Sequence, residues 1–203
     1  MSRKRTTLFF APTSEYVEAR ILELTPKLAE RRIHRDWWSD ADLLRQFDPP
    51  PIDLHWNWNE IGVEYDNEPL AAQKVAILTG NQAVQGAMMV STEAVRSALT
   101  PGAGALFVEL LFTAPRNRPA LRRDGKPYFQ GVGLKLLAWA AWLSREKHQD
   151  GRLLLHASPD YLAWYEKRGL QKLEMKPIVF EGVAYAPMEL PARAAQSLLK
   201  ELE

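Results

Sequence analysis

The chain has 203 residues, 46% of them hydrophobic and 10% aromatic, which is enough for one sizeable core and short for two ordinary domains. Its 26 lysines and arginines nearly balance 25 aspartates and glutamates, so no global charge draws it to a nucleic acid or an anionic membrane. The absence of cysteine excludes disulfides, thiolate zinc sites and a cysteine nucleophile. No apolar run approaches the ~18 residues of a membrane span. The stretch Leu8 to Ala11 is too short for a signal peptide, and a cytoplasmic protein is expected.

In chain order, residues 7–10 read as an opening strand, and Thr13-Ser14 ahead of Glu15 and Glu18 reads as the cap of a helix reaching residue 24. Further helices are expected over 27–35 and 40–47, interrupted by Asp36-Trp37-Trp38-Ser39-Asp40 and closed by Pro49-Pro50-Pro51. The cluster His55-Trp56-Asn57-Trp58-Asn59-Glu60 follows. Its alternating tryptophans either pack on one strand face or line an apolar or cationic acceptor pocket with Trp37 and Trp38. His34 and His55 show no metal-ligand spacing, and no metal is expected.

From residue 61 the period changes to that of strands: 61–65, 74–79 and 85–90, the last two forming a hairpin about Gly80-Asn81. Residues 91–99 read as a short helix or a loop. An apolar run, Gly104 to Ala114, leads into a basic loop with Arg116, Arg118, Arg122, Arg123 and Lys126 against Asp124 alone. That loop is either a solvated surface or the counter-charge for an anion. Gly131 and Gly133 then allow a tight turn whose N–H groups, at the head of a helix over 132–147, can face an anion. The helix carries an apolar stripe at 132, 136, 137, 140 and 143, widened by Trp139 and Trp142.

A second apolar run, residues 152–157, precedes Ser158-Pro159-Asp160 and a helix end at Trp164-Tyr165-Glu166-Lys167-Arg168-Gly169-Leu170. Strands over 177–180 and 183–190 turn at Glu181-Gly182, and Pro191 opens a last helix over 192–202. Glu109, flanked by Val108, Leu110 and Leu111, must face a cleft or find a partner, because a carboxylate inside an apolar strand is otherwise costly. His156 on the next apolar run is either a satisfied core residue or a base.

Strand, Gly-x-Gly turn, helix, strand and an aromatic-Tyr-x-x-x-Gly-apolar helix end, in that order over 104–170, resemble the acyl-coenzyme A (acyl-CoA) core of the GCN5-related N-acetyltransferases (GNATs). The resemblance implies an α+β fold: a mixed, mostly antiparallel sheet flanked by helices, with a helical N-terminal elaboration. It implies a single domain over 1–203, divided as elaboration (1–55), acyl-CoA-binding core (56–190) and C-terminal helix (191–203). The implied activity is transfer of an acetyl group from acetyl-CoA to a primary amine of a small molecule or protein, by direct attack in a ternary complex. The other reading is a non-catalytic module of this fold that senses acyl-CoA or binds a protein.

On the resemblance, Tyr165 protonates the leaving thiolate or is a core tyrosine, Glu109 is a general base or half of an ion pair, and His156 assists. Acetyl-CoA is expected as co-substrate along Leu111, Phe112, Thr113, Arg118, Arg123, Tyr128, Phe129, Gln130, Gly131, Val132, Gly133, Leu134 and Ser158. Tyr128 stands where the family commonly has Gln or Arg, Ser158 where Asn is common and Tyr161 where Ala is common. Fold analogy also implies a homodimer through the terminal hairpin or last helix, while the balanced charge and the lack of a long apolar run lead to no expected membrane or nucleic-acid partner.

Overall fold

The computed structural model describes residues 4–37, 72–79, 83–122 and 124–202. The expected helix over 40–47, strand over 61–65 and turn at Gly80-Asn81, the Trp56 and Trp58 cluster, and Arg123 lie outside the described residues. The chain divides into two compact units, Met1–Met88 with Leu111–Leu136 and Met89–Leu110 with Leu137–Glu203.

In the first unit, β1 (Lys4–Phe10) and β2 (Glu15–Glu23) form an antiparallel hairpin, with Lys4 opposite Ile21 and Phe10 opposite Glu15. The helix expected over 15–24 is therefore a strand. Ala19 and Ile21 are buried while Glu18 and Arg20 are exposed, a period of two that a helix cannot satisfy. The Thr13-Ser14 pair belongs to the hairpin turn: the Thr13 hydroxyl donates to the Glu15 carboxylate (3.1 Å), and Ser14 adopts a positive φ of 56°. β2 also pairs antiparallel with β3 (Ala72–Thr79), Ala19 opposite Thr79 and Glu23 opposite Val75. Pairing on both edges decides the conformation.

The helix expected over 27–35 is present as α1 (Pro26–Ala29), a π-helical turn (Glu30–His34) and α2 (Arg35–Trp37). Ala29, Ile33 and Trp37 recur every fourth residue and pack with Leu24, Ala76, Val84, Ala87 and Ala114 into one apolar cluster. The Trp37 indole N–H donates to the Val84 carbonyl at 2.9 Å, so this large ring is buried without an orphaned donor. Strand order in this unit is β6-β1-β2-β3-β4, where β4 is Val84–Arg96 and β6 is Phe129–Gln130. Residues 91–96, expected as helix or loop, continue β4.

β4 continues into the second unit, where the order is β4-β5-β7-β10-β8 with β9 on β10: β5 Gly104–Thr113, β7 Leu153–Ala157, β8 Gln171–Lys172, β9 Ile178–Phe180 and β10 Val183–Leu190. β5 and β7 run parallel, Leu106 opposite Leu153, whereas β7, β8 and β9 each pair with β10 antiparallel. The sheet is thus mixed and mostly antiparallel, flanked by α3 (Val132–Glu146), α4 (Leu162–Glu166) and α5 (Ala192–Leu199). Trp139 of α3 is almost wholly buried, as its place beside the apolar stripe predicts.

Two close contacts set the local geometry. Gly86 of β4 faces the first turns of α3: a Cβ there would lie 2.6 Å from Val132 Cγ1, 2.9 Å from Leu136 Cδ1 and 3.0 Å from the Phe112 carbonyl oxygen. Only a residue without a side chain lets the strand and helix approach so closely. In the second unit the fully buried Glu189 carboxylate accepts the Ser97 hydroxyl and the N–H groups of Ala98 (2.7 Å) and Leu99 (3.2 Å), anchoring the turn between β4 and β5. Glu189→Ala should lower the unfolding free energy by about 1–3 kcal/mol, because the buried Ser97 hydroxyl and two part-buried N–H groups lose their acceptor. Gly86→Ala should lower it by about 1–3 kcal/mol by overpacking. Denaturant titration reads both, and unchanged midpoints would refute both assignments.

Candidate active site

The turn in the first unit is built from β6 outward. Phe129 and Gln130 pair with Phe10 and Phe9 of β1, and Gly131 follows with φ +82°, the left-handed region that favours glycine. A Cβ at Gly131 would meet nothing within 4 Å, so the space above the turn is open. The Lys135 N–H donates to the Gly131 carbonyl at 2.9 Å, closing the first helical turn. Val132, Gly133 and Leu134 belong to that turn, whose N–H groups have no acceptor within their own helix. Such a turn suits a diphosphate, which meets N–H donors and the positive end of the α3 dipole together.

Leu111, Phe112 and Thr113 form the half-buried end of β5, and the basic loop leaves it in two 3-10 turns, Pro115–Asn117 and Pro119–Leu121. Three of its cations, Arg116, Arg118 and Arg122, are already engaged. The Arg116 guanidinium turns inward, Nε donating to Gln85 Oε1 (3.1 Å) and one terminal nitrogen to the Val84 carbonyl (2.9 Å); burial lowers its pKa, which Asp36 opposes. Arg118 Nε donates to the Thr113 carbonyl at 2.7 Å and its guanidinium lies 5.8 Å from the Phe112 ring centre. Arg122 holds Asp124 through two hydrogen bonds, 3.1 and 3.0 Å, and stacks 4.2 Å from the Tyr128 ring centre. Five loop cations in sequence are therefore far fewer unengaged charges in space.

Asn117 was given no site role from sequence, yet it is the buried centre of this loop. Its amide nitrogen donates to the Gln85 carbonyl (3.0 Å) and to Gln85 Oε1 (3.1 Å), while its amide oxygen accepts the Phe129 N–H (3.0 Å). Gln85 in turn donates to the Thr79 hydroxyl at 3.1 Å. A glutamine within an apolar strand was the one available signal.

In the second unit the parallel ladder runs from Leu106 opposite Leu153 to Val108 opposite Leu155, while both strands continue. Glu109 and His156 come next on each strand. Alternation puts them on the half-buried face of Phe107 and Leu154, and the Phe107 and His156 rings meet edge-on at 5.5 Å. Among the described residues Glu109 makes no hydrogen bond or ion pair. Burial raises the Glu109 pKa and lowers that of His156, so both favour their uncharged forms.

Tyr165 sits on α4, its ring edge-on to Trp164 at 4.9 Å. Burial, with a smaller contribution from Tyr161, pushes its phenol well above the usual tyrosine range. Its carbonyl accepts the N–H groups of Arg168 (2.9 Å) and Leu170 (3.2 Å), ending the helix. Arg168 locks Trp164 from the other side: the guanidinium lies 3.8 Å from the ring centre and donates to the Trp164 carbonyl at 2.8 Å. Ser158 ends β7, its carbonyl accepting the Tyr161 N–H at 3.0 Å, and its side chain makes no capping bond. Tyr161, where the resembled family commonly has Ala, projects outward and is half exposed.

No protein-family model and no curated protein matches the chain. Solved structures do. An acetyltransferase of the GNAT family from Listeria monocytogenes is similar over 86% of this chain and 96% of its own, at 15% identity and a TM-score of 0.51. A mutant of the toxin AtaT, bound to the C-terminus of the antitoxin AtaR and acetyl-CoA, is similar over 89% of this chain and 97% of its own, at 16% identity and a TM-score of 0.51. An uncharacterized protein from Bacillus halodurans aligns over 98% and 96%, at 10% identity and a TM-score of 0.55. At such identities the likeness is one of architecture, and it agrees with the strand order and parallel β5–β7 pair described above: the chain has the fold of the GCN5-related N-acetyltransferases.

Proposed function

We propose that the chain is an N-acetyltransferase that moves an acetyl group from acetyl-CoA to a primary amine of a small molecule or protein, by direct attack in a ternary complex. The observation that carries the reading is the end of the β5–β7 ladder, where Glu109 and His156 follow the last paired residues on one half-buried face. Support for a CoA-type co-substrate comes from the open, glycine-built turn at Gly131 and from the acetyl-CoA held by the AtaT mutant.

An amine reaches the site as an ammonium and must lose a proton before it can attack. Glu109, its pKa raised by burial, would take that proton directly or through a water it orders, and His156, its pKa lowered by burial, would relay it outward. A backbone N–H of β5 beyond Val108 would polarise the thioester carbonyl. The C–N bond forms as the C–S bond breaks, and the Tyr165 phenol gives its proton to the departing thiolate. Burial keeps that phenol protonated far above neutral pH, which suits a donor and not a base.

Calorimetric titration with acetyl-CoA should show micromolar binding by the wild type and by Gly131→Ala, and its loss in Gly131→Trp. Both variants strain the positive φ, but only the indole fills the open space. A wild type that binds no acetyl-CoA would overturn the reading. Tyr165→Phe should lower kcat by about 10²-fold or more with cofactor affinity preserved, and an unchanged kcat would remove the phenol from the mechanism.

The pH profile separates the two bases. kcat/KM should rise with pH as the base loses its proton, on a limb above 4.5 if Glu109 carries it and below 6.5 if His156 does. Because the two shifts converge, the variants decide: Glu109→Gln should abolish the limb and most of the rate, whereas His156→Asn should leave the limb in place. The opposite pattern would assign the base to His156.

A further inference from the structure

The family's side chain at position 128 is replaced here by a tyrosine, and the structure shows what the tyrosine does. Its ring is stacked on Phe10, with centres 6.2 Å apart and planes 13° from parallel, and the Arg122 guanidinium lies 4.2 Å from its centre. The ring is engaged within the protein. The burden of holding the turn therefore falls on what fixes the β6 backbone from within.

Beyond its pairing with β1, that backbone is held at three points before Gly131. The Tyr128 N–H donates to the Arg116 carbonyl (3.0 Å), the Tyr128 carbonyl accepts the Ala11 N–H (2.9 Å), and the Phe129 N–H donates to the Asn117 side chain (3.0 Å). Of these, the last is the one tie from a side chain, and the side chain is buried. Asn117 is clamped at its other end by Gln85, so its oxygen has one place to be. The same strand carries Gly86, against which the first turns of α3 pack. Adjacent residues of β4 thus locate both ends of the turn: Gln85, through Asn117, the strand entering it, and Gly86 the helix leaving it.

From this we infer that Asn117 is the positioning residue of the diphosphate turn, replacing from inside the fold what a polar side chain at 128 would supply from outside. The inference rests on the acetyl-CoA reading above. Asn117 touches no substrate; it orients the N–H groups that do, and a misplacement of about 1 Å in such groups is worth up to about 10²-fold.

S-acetyl-pantetheine carries the same thioester as acetyl-CoA without the diphosphate and adenosine, and it distinguishes positioning from general damage. In Asn117→Ala, KM for acetyl-CoA should rise about tenfold or more while kcat/KM for S-acetyl-pantetheine stays near the wild-type value. Asn117→Ser removes the amide tie but keeps a small polar side chain at the site; if Asn117→Ala does not fold, the same two substrates are compared in Asn117→Ser. Equal losses on both substrates, or an unchanged KM for acetyl-CoA, would overturn the inference while leaving the acetyltransferase reading intact. Absence of acetyl-CoA binding by the wild type would overturn both.

Discussion

A buried amide has donors and an acceptor that water can no longer serve, and in the first unit two amides answer each other. Gln85 offers Asn117 two oxygens; Asn117 returns its own oxygen to β6. Around this pair the Arg116 guanidinium, the Thr79 hydroxyl and the Trp37 indole find their partners on the same short stretch of β4. An unsatisfied member would cost about 1–3 kcal/mol, so the network admits one arrangement of loop, strand and helix. The apolar cluster beneath it supplies adhesion without direction, and the hydrogen bonds supply the direction.

The titratable groups of the second unit follow a different rule. At the three candidate site residues no opposite charge contributes; burial alone acts on Glu109 and His156 and dominates at Tyr165. Burial drives carboxyl and imidazole toward neutrality from opposite sides and leaves the phenol protonated. A site that handles an amine and a thiolate gains from this, since burial makes the carboxylate a stronger proton acceptor while the phenol keeps a proton to give.

Much of the second unit was legible in sequence because its signals are local. The apolar runs at 104–114 and 152–157, the helix over 132–147 and the turn at Glu181-Gly182 each carry their own period or breaker, and they appear within a residue or two of expectation. Glu109 was conspicuous for the same reason, being a charge in an apolar run. The hairpin at the N-terminus was misread because Thr13-Ser14 caps helices and closes turns equally well, and partners far along the chain decided between them. The Asn117 tie was invisible for a related reason: nothing local marks an asparagine in a proline-containing loop as buried. The basic loop misled by composition, since counting charges does not reveal which are ion-paired or turned inward.

The short strand β6 has a consequence for how the protein comes to be. Its two residues are paired with the opening strand of the chain, tied to a loop 12 positions upstream, and dependent through that loop on a strand a further 32 positions away. No part of it is stabilised by its immediate neighbours alone. Contacts between distant segments form slowly, because the entropy of closing long loops is lost before the contacts repay it. The turn at Gly131 accordingly depends on β1, on β4 and on the basic loop together, and losing any one of these contacts reaches it from a distance.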